Sequence, residues 1–211
     1  EDASEKKYHE YLKNCYLTAK RAIQILCFAL ISKLWDDKKG QEFSLTQKQK
    51  TTCINFFEDG FDMDINYLMN LLQTLSNVVE ENKLTFPFSE FKQFAPHLLN
   101  DSSFLTACSQ LQDIKGLLDK SQAGVSDCMN AETQISIFLE HLSFAVNYRM
   151  VSIKSIGYFE MRNSKPHYLY NFTSLGIDNK SNTNQDKVNY AESPTNTDAV
   201  VLRGNNKESL N

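Results

Sequence analysis

Between Ser4 and Trp35, apolar side chains return every third or fourth residue through Tyr8, Leu12, Cys15, Ala19, Ile23, Leu26, Leu30 and Leu34. That spacing predicts one long helix with a buried face. Its second half is apolar almost all round, which predicts the central helix of a bundle. Asp36 to Gly40 ends it, and Ser44 followed by Gln47 is a capping-box signal for a second helix reaching about Glu58, with Cys53, Phe56 and Phe57 as the expected core face. Asp62 or Asp64 then caps a third, whose stripe of Ile65, Leu68, Leu72, Leu75 and Val79 has the clearest period in the chain. Leu84 to Leu98 carries Phe86, Phe88, Phe91 and Phe94 around Pro87, with Pro96 behind. This predicts an extended lead followed by a short helix, because proline disfavours helical geometry in the residue before it. A fifth helix opens at Asp101 or Ser102 and runs to about Lys120, burying Phe104, Cys108, Leu111, Ile114 or Lys115, and Leu118. A sixth runs from about Asp127 to Phe144 with Met129, Ile135, Phe138, Leu142 and Ala145 turned inward.

After Asn147 the period changes. Tyr148 to Met161 is rich in Val, Ile, Tyr and Phe, and Tyr168, Tyr170 and Phe172 alternate beyond the turn at residues 162–166, which predicts a β-hairpin. Asp178 to Asp198 is almost wholly polar and reads as a linker, with Ala199 to Leu202 as one further short strand. The expected architecture is therefore mainly α. It comprises an approximately six-helix bundle over residues 3–146, a β-hairpin packed on it over 147–177, and a polar linker over 178–211 with a short strand at 199–202. No internal repeat of solenoid length is visible.

Composition narrows this picture. Seven glycines in 211 residues are few for a sandwich, a barrel or a dinucleotide-binding sheet, all of which use glycine at turns and phosphate loops. A net charge of −4 leaves no surplus of cations for phosphates, which disfavours general nucleic-acid binding. The run Ala22 to Ile31 is half the ~20 apolar residues that a membrane span requires, so no membrane association is expected. Cys15, Cys27, Cys53, Cys108 and Cys128 fall mostly on apolar helix positions, as core-filling thiols of a cytoplasmic protein do.

Candidate chemistry is sparse. Asp62 and Asp64 lie in the densest acidic cluster, yet the EF-hand pattern fails, because Tyr67 and Gln73 occupy the glycine and glutamate places counted from Asp62. The pair is expected to cap the next helix, with a hydrated Mg2+ site as the alternative. Arg162 and His167 stand at the spacing of the catalytic pair in ribonucleases of the HEPN class, which are helical bundles. That resemblance implies RNA cleavage, but Pro166 interrupts the helix in which such a pair sits. There is no Gly-x-Ser-x-Gly elbow and no phosphate loop. No cofactor is expected.

A helical module ending in a hairpin and a linker resembles the noncatalytic front ends of multidomain bacterial regulatory or defence proteins. The expected function is accordingly a noncatalytic protein-interaction or regulatory module, a fragment of a larger protein. Its partner would be another protein, another part of its parent chain or a second copy, engaged through Tyr158, Tyr168, Tyr170 and Phe172 of the hairpin. The alternatives are a HEPN-like or metal-dependent ribonuclease, through Arg162 and His167 or Asp62 and Asp64, and a small-ligand sensor walled by the Phe86 to Phe94 segment.

Overall fold

The computed structural model describes residues 3–40, 43–59, 62–96, 100–120, 123–159, 167–175, 188–190 and 200–204. They form two compact units, Glu1–Ser143 and Phe144–Asn211. The first holds six α-helices among the described residues: α1 (Ala3–Gly40), α2 (Gln47–Asp59), α3 (Ile65–Glu81), α4 (Phe91–Phe94), α5 (Ser102–Asp119) and α6 (Val125–His141). A 3-10 turn, Ser143–Asn147, follows. The fold is mainly α with a late antiparallel hairpin, as the periodicity predicts.

α1 is the central helix and packs against α3, α5 and α6. Its Leu12, Ala19, Cys27 and Leu30 are completely shielded from solvent. Lys6–Lys38 of α1 is also long and apolar enough to cross a bilayer, but 44% of its apolar window is buried inside the bundle. The stripe expected on α3 is buried throughout, at Ile65, Leu68, Leu72, Leu75 and Val79. Leu71 and Val78 widen it into the broad face of a helix covered on more than one side. On α5, Phe104, Ala107, Cys108, Leu111 and Ile114 are buried, whereas Lys115 is exposed and Leu118 half-buried. The face expected on α6 is only partly right. Phe138 and Leu142 are buried, but Met129 is 65% exposed and Ala145 is exposed, while the small Ala131 is buried instead.

Caps fix where helices begin. Asp64 rather than Asp62 starts α3, accepting from the Tyr67 N–H at 2.9 Å. The expected Ser44/Gln47 box is displaced by two residues. The Thr46 N–H donates to Gln49 Oε1 (2.8 Å) and the Gln49 N–H to Thr46 Oγ1 (3.3 Å), because the Thr-x-x-Gln pattern recurs at once in Thr46-Gln47-Lys48-Gln49. At the start of α6 only half of such a box is present, the Gly124 N–H donating to Asp127 Oδ2 at 2.9 Å.

A ladder of rings ties the short α4 to α5 and α6. Phe91 and Phe94 meet edge to face at 5.4 Å, Phe94 meets Phe104 in the same way at 5.4 Å, and Phe104 stacks on Phe138 at 5.6 Å. Each such pair adds about 1 kcal/mol beyond the area it buries. His141 ends the ladder, 5.1 Å from the Phe104 ring.

In the second unit, β1 (Tyr148–Phe159), β2 (His167–Ser174), β3 (Val188–Tyr190) and β4 (Val200–Gly204) form an antiparallel sheet in the order β3-β2-β1-β4. The expected strand near 199–202 is β4. The expected linker needs correction, since β3 lies within it. Val188 and Tyr190 give that polar stretch one apolar-polar-apolar triplet, enough to pair with Tyr168 to Tyr170 of β2. Lys154 is an extra residue in β1, between the pairs Ile153↔Phe172 and Ser155↔Asn171. The bulge sets Ile153 and Ile156 on one face, opposite Phe172 and Tyr170.

The His141–Asp101 contact joins the end of α6 to the start of α5. Asp101 Oδ1 accepts from the Ser103 and Phe104 N–H groups, at 3.0 and 3.1 Å, and from the Ser103 hydroxyl at 2.6 Å. Its Oδ2 faces His141 Nε2 at 3.1 Å, while His141 Nδ1 faces the Ile137 carbonyl at 2.9 Å. Both ring nitrogens meet acceptors, so only the doubly protonated ring satisfies both. Burial alone would lower the His141 pKa, but the Ile137 carbonyl and the Asp101 carboxylate outweigh it and hold it above the ordinary 6.5. A raised folded-state pKa means that the stabilisation is fully present below the unfolded value and is lost as pH rises through the folded one. Urea unfolding of the wild type is expected to lose on the order of 1 kcal/mol between pH 5.5 and pH 8 relative to His141→Gln. Parallel pH profiles of the two proteins would contradict this.

Candidate interaction surface

α2 is a helix of 13 residues that buries one large side chain, Phe56. Isolated helices of ~12 to 15 residues are marginal in water, so what holds α2 is of interest. Phe56 is 1% exposed, with the Phe28 ring of α1 against it at 4.8 Å, and the Tyr67 hydroxyl donates to the Thr52 carbonyl at 3.1 Å. Cys53 is half-buried. Phe57, expected inside, is 62% exposed and Ile54 53%. The reason is angular. Successive helical residues are turned by about 100°, so Phe57 points well away from the direction of Phe56, and Ile54 points almost opposite to it.

These exposed residues continue onto α1. Phe28 is 47% exposed and contacts both rings of α2, with Phe57 at 6.5 Å and Phe56 and Phe57 themselves 5.8 Å apart. Trp35 lies seven residues after Phe28, on the same side of α1 two turns on, and is 68% exposed. Phe28 and Phe57 thus meet as exposed rings between the two helices, and Trp35 and Ile54 are further exposed apolar side chains of the same helices. Isolated exposed hydrophobic residues are ordinary, whereas a run of large ones on adjoining helices marks a surface that meets a partner. Periodicity alone pointed here only in one respect: the second half of α1 has more apolar residues than a single buried face can use.

Asp64 caps α3, and Asp62 and Asp64 lie near the largely buried Lys20 ammonium of α1. Burial lowers the Lys20 pKa, the two carboxylates oppose that shift, and the Lys115 charge adds to it. The carboxylates therefore answer a buried cation, and no group of three or more His, Cys, Asp or Glu side chains suited to a metal occurs among the described residues. On the hairpin, Tyr158 is 55% exposed, while Phe172 is buried with Val151 and Ile153. Strand register sets Tyr168 opposite Tyr158 and Tyr170 opposite Ile156. The Tyr168, Tyr170 and His167 side chains, and Arg162 entirely, lie outside the described residues.

Phe88, Phe91 and Phe94 are buried, the last two within the ring ladder. A cleft of about 190 Å³ behind this segment is edged by Gln73, Ser76, Asn77, Glu80, Ala95, Pro96 and Asn100. It is smaller than the roughly 300 to 1,000 Å³ typical of ligand pockets. The five cysteines are free thiols. Burial pushes the Cys108 thiol up to about 12 and raises Cys27 as well, which suppresses the reactive thiolate at both.

No protein-family model, no curated protein and no solved structure matches this chain.

The meagre burial of α2 has a measurable consequence. In native-state hydrogen exchange, amides of Thr51 to Phe57 are expected to exchange at least about tenfold faster than those of Leu68 to Val78 in α3, since local opening exposes little apolar surface. Equal protection of the two helices would show that α2 is held by more than Phe56.

Proposed function

We propose that this chain is a noncatalytic protein-interaction or regulatory module that engages its partner through the α1–α2 face. One observation carries the reading: Phe28 and Phe57 meet between α1 and α2, and they and the Trp35 and Ile54 side chains of the same two helices are large, apolar and about half exposed or more. Tryptophan and phenylalanine are enriched in the buried centres of protein interfaces, and a few such side chains supply most of the binding energy. The helix that presents half of the face is itself short of buried surface. A partner covering Ile54 and Phe57 would therefore stabilise the module as well as bind it. Tyr158, on the other compact unit, remains a second candidate contact.

The test is comparative capture from a lysate of the source cells, using the chain and an Ile54→Glu, Phe57→Glu variant as bait. Both substitutions fall at exposed positions, so the helical circular dichroism of the variant should match the wild type. Any specific partner of the wild type should be retained at least about tenfold less by the variant, the equivalent of about 1.4 kcal/mol or more. Equal retention would remove the α1–α2 face from consideration and move attention to Tyr158→Ser.

A further inference from the structure

We infer that His141 and Asp101 form a pH-operated latch, which holds the last turn of α6 on the start of α5 while the imidazole is charged and releases that turn when it is neutral. The inference goes beyond the interaction reading and uses none of its residues. Its first support is that both partners of the ring are fixed in place. The Ile137 carbonyl, 2.9 Å from Nδ1, belongs to the backbone of α6. Asp101 is held by its other oxygen, which accepts from the Ser103 and Phe104 N–H groups and from the Ser103 hydroxyl, so that Oδ2 stays 3.1 Å from Nε2. A neutral ring carries a single N–H. With the proton on Nδ1 the Nε2 lone pair meets a carboxylate, and with it on Nε2 the Nδ1 lone pair meets a carbonyl. Either tautomer sets two acceptors against each other. What can give way is the His141 side chain, with the helix end that carries it.

The second support is where the ring lies. His141 is the last residue of α6 and the basic side chain of its last turn. A cation there complements the partial negative charge of a helix C-terminus. Once His141 is neutral, the charge left in residues 138–141 is the Glu140 carboxylate, of the wrong sign for this end. The charged groups acting on the ring are Asp101 from α5 and Glu140 from α6, both negative, and both favour its charged form. The ring also faces Phe104 of α5 at 5.1 Å, and Leu142, directly after it, is buried. Opening the latch therefore loosens Leu142 as well, while Phe138, stacked on Phe104 about one turn earlier, marks where the opening stops. Because its partners hold the His141 pKa above the ordinary 6.5, the latch is closed below that pH and opens as pH rises through the folded-state value.

The experiment is residue-resolved NMR of the whole 211-residue chain from about pH 5.5 to about pH 8.5, a range that brackets histidine titration. The ring nitrogen shifts of His141 give its titration midpoint. The nuclear Overhauser effect between the His141 and Phe104 ring protons reports whether the latch is closed, and hydrogen exchange at Leu139 to Leu142, corrected for the intrinsic effect of pH, reports the opening of the turn. The expected midpoint lies above 6.5. Through that same midpoint the ring-to-ring effect should weaken, and protection of the four amides should fall by at least about fivefold. In His141→Gln the protection should no longer depend on pH. Asp101→Asn, which keeps a side-chain oxygen to cap α5, should move the titration and the opening together to lower pH.

A His141 midpoint at or below 6.5 overturns the inference, as does a titration that leaves both the ring-to-ring effect and the four amides unchanged. A fall in protection of equal size in His141→Gln places the cause in another group and likewise overturns it. Coincidence of the two midpoints is read on the wild-type chain alone, so the test holds even where a variant fails to fold.

Discussion

The helical unit depends on the burial of one stripe of α1. Leu12, Ala19, Ile23, Cys27 and Leu30 are shielded almost completely, and α3, α5 and α6 each gain their own core by covering part of that stripe. A helix of 38 residues is about 57 Å long, whereas helices of 17 or 18 residues reach only about 26 Å. No single neighbour can therefore cover α1 from end to end, nor cover its apolar second half on all sides. The outward position of Phe28 and Trp35 follows from this mismatch between the length of one helix and the cover available from the rest.

The same constraint explains which parts of the fold could be read from the chain. The stripe on α3 was legible to the residue, because every apolar position at three- and four-residue steps finds a neighbour to pack against. The α2 face was misread at Phe57 and the α6 face at Met129. Periodicity states which side chains share a side of a helix, while burial depends on whether another element arrives to cover that side. The start of α2 was displaced because two overlapping Ser/Thr-x-x-Gln patterns compete, and only backbone geometry selects Thr46. The pairing of β3 with β2 rests on three residues in a polar stretch, below what a two-residue period can signal.

Two polar contacts of the first unit set a carboxylate at a helix start near a basic side chain of another helix. Asp64 and Asp62 lie near Lys20 of α1, whose side chain is largely buried. Asp101 begins α5 with one oxygen and faces His141 with the other. Neither arrangement has a linear motif, since the partners lie some forty residues apart in each case. Asp64, which looks like a ligand when the acidic row is read along the chain, is in this fold spent on a helix start.

The strand order β3-β2-β1-β4 sets a timetable for the growing chain. The helices of the first unit are complete by His141, but β1 lies between β2 and a strand that ends only at Gly204. During synthesis α1 to α6 can close on one another while β1 and β2 pair as a lone hairpin, which is marginal in water. The edge of β1 that β4 will occupy stays open until more than forty further residues have been made. Closing that loop carries an entropic cost that local helix contacts do not. Nascent chains halted just before Val200 would thus hold a finished bundle beside an unpaired strand edge, the state most exposed to aggregation or chaperone capture.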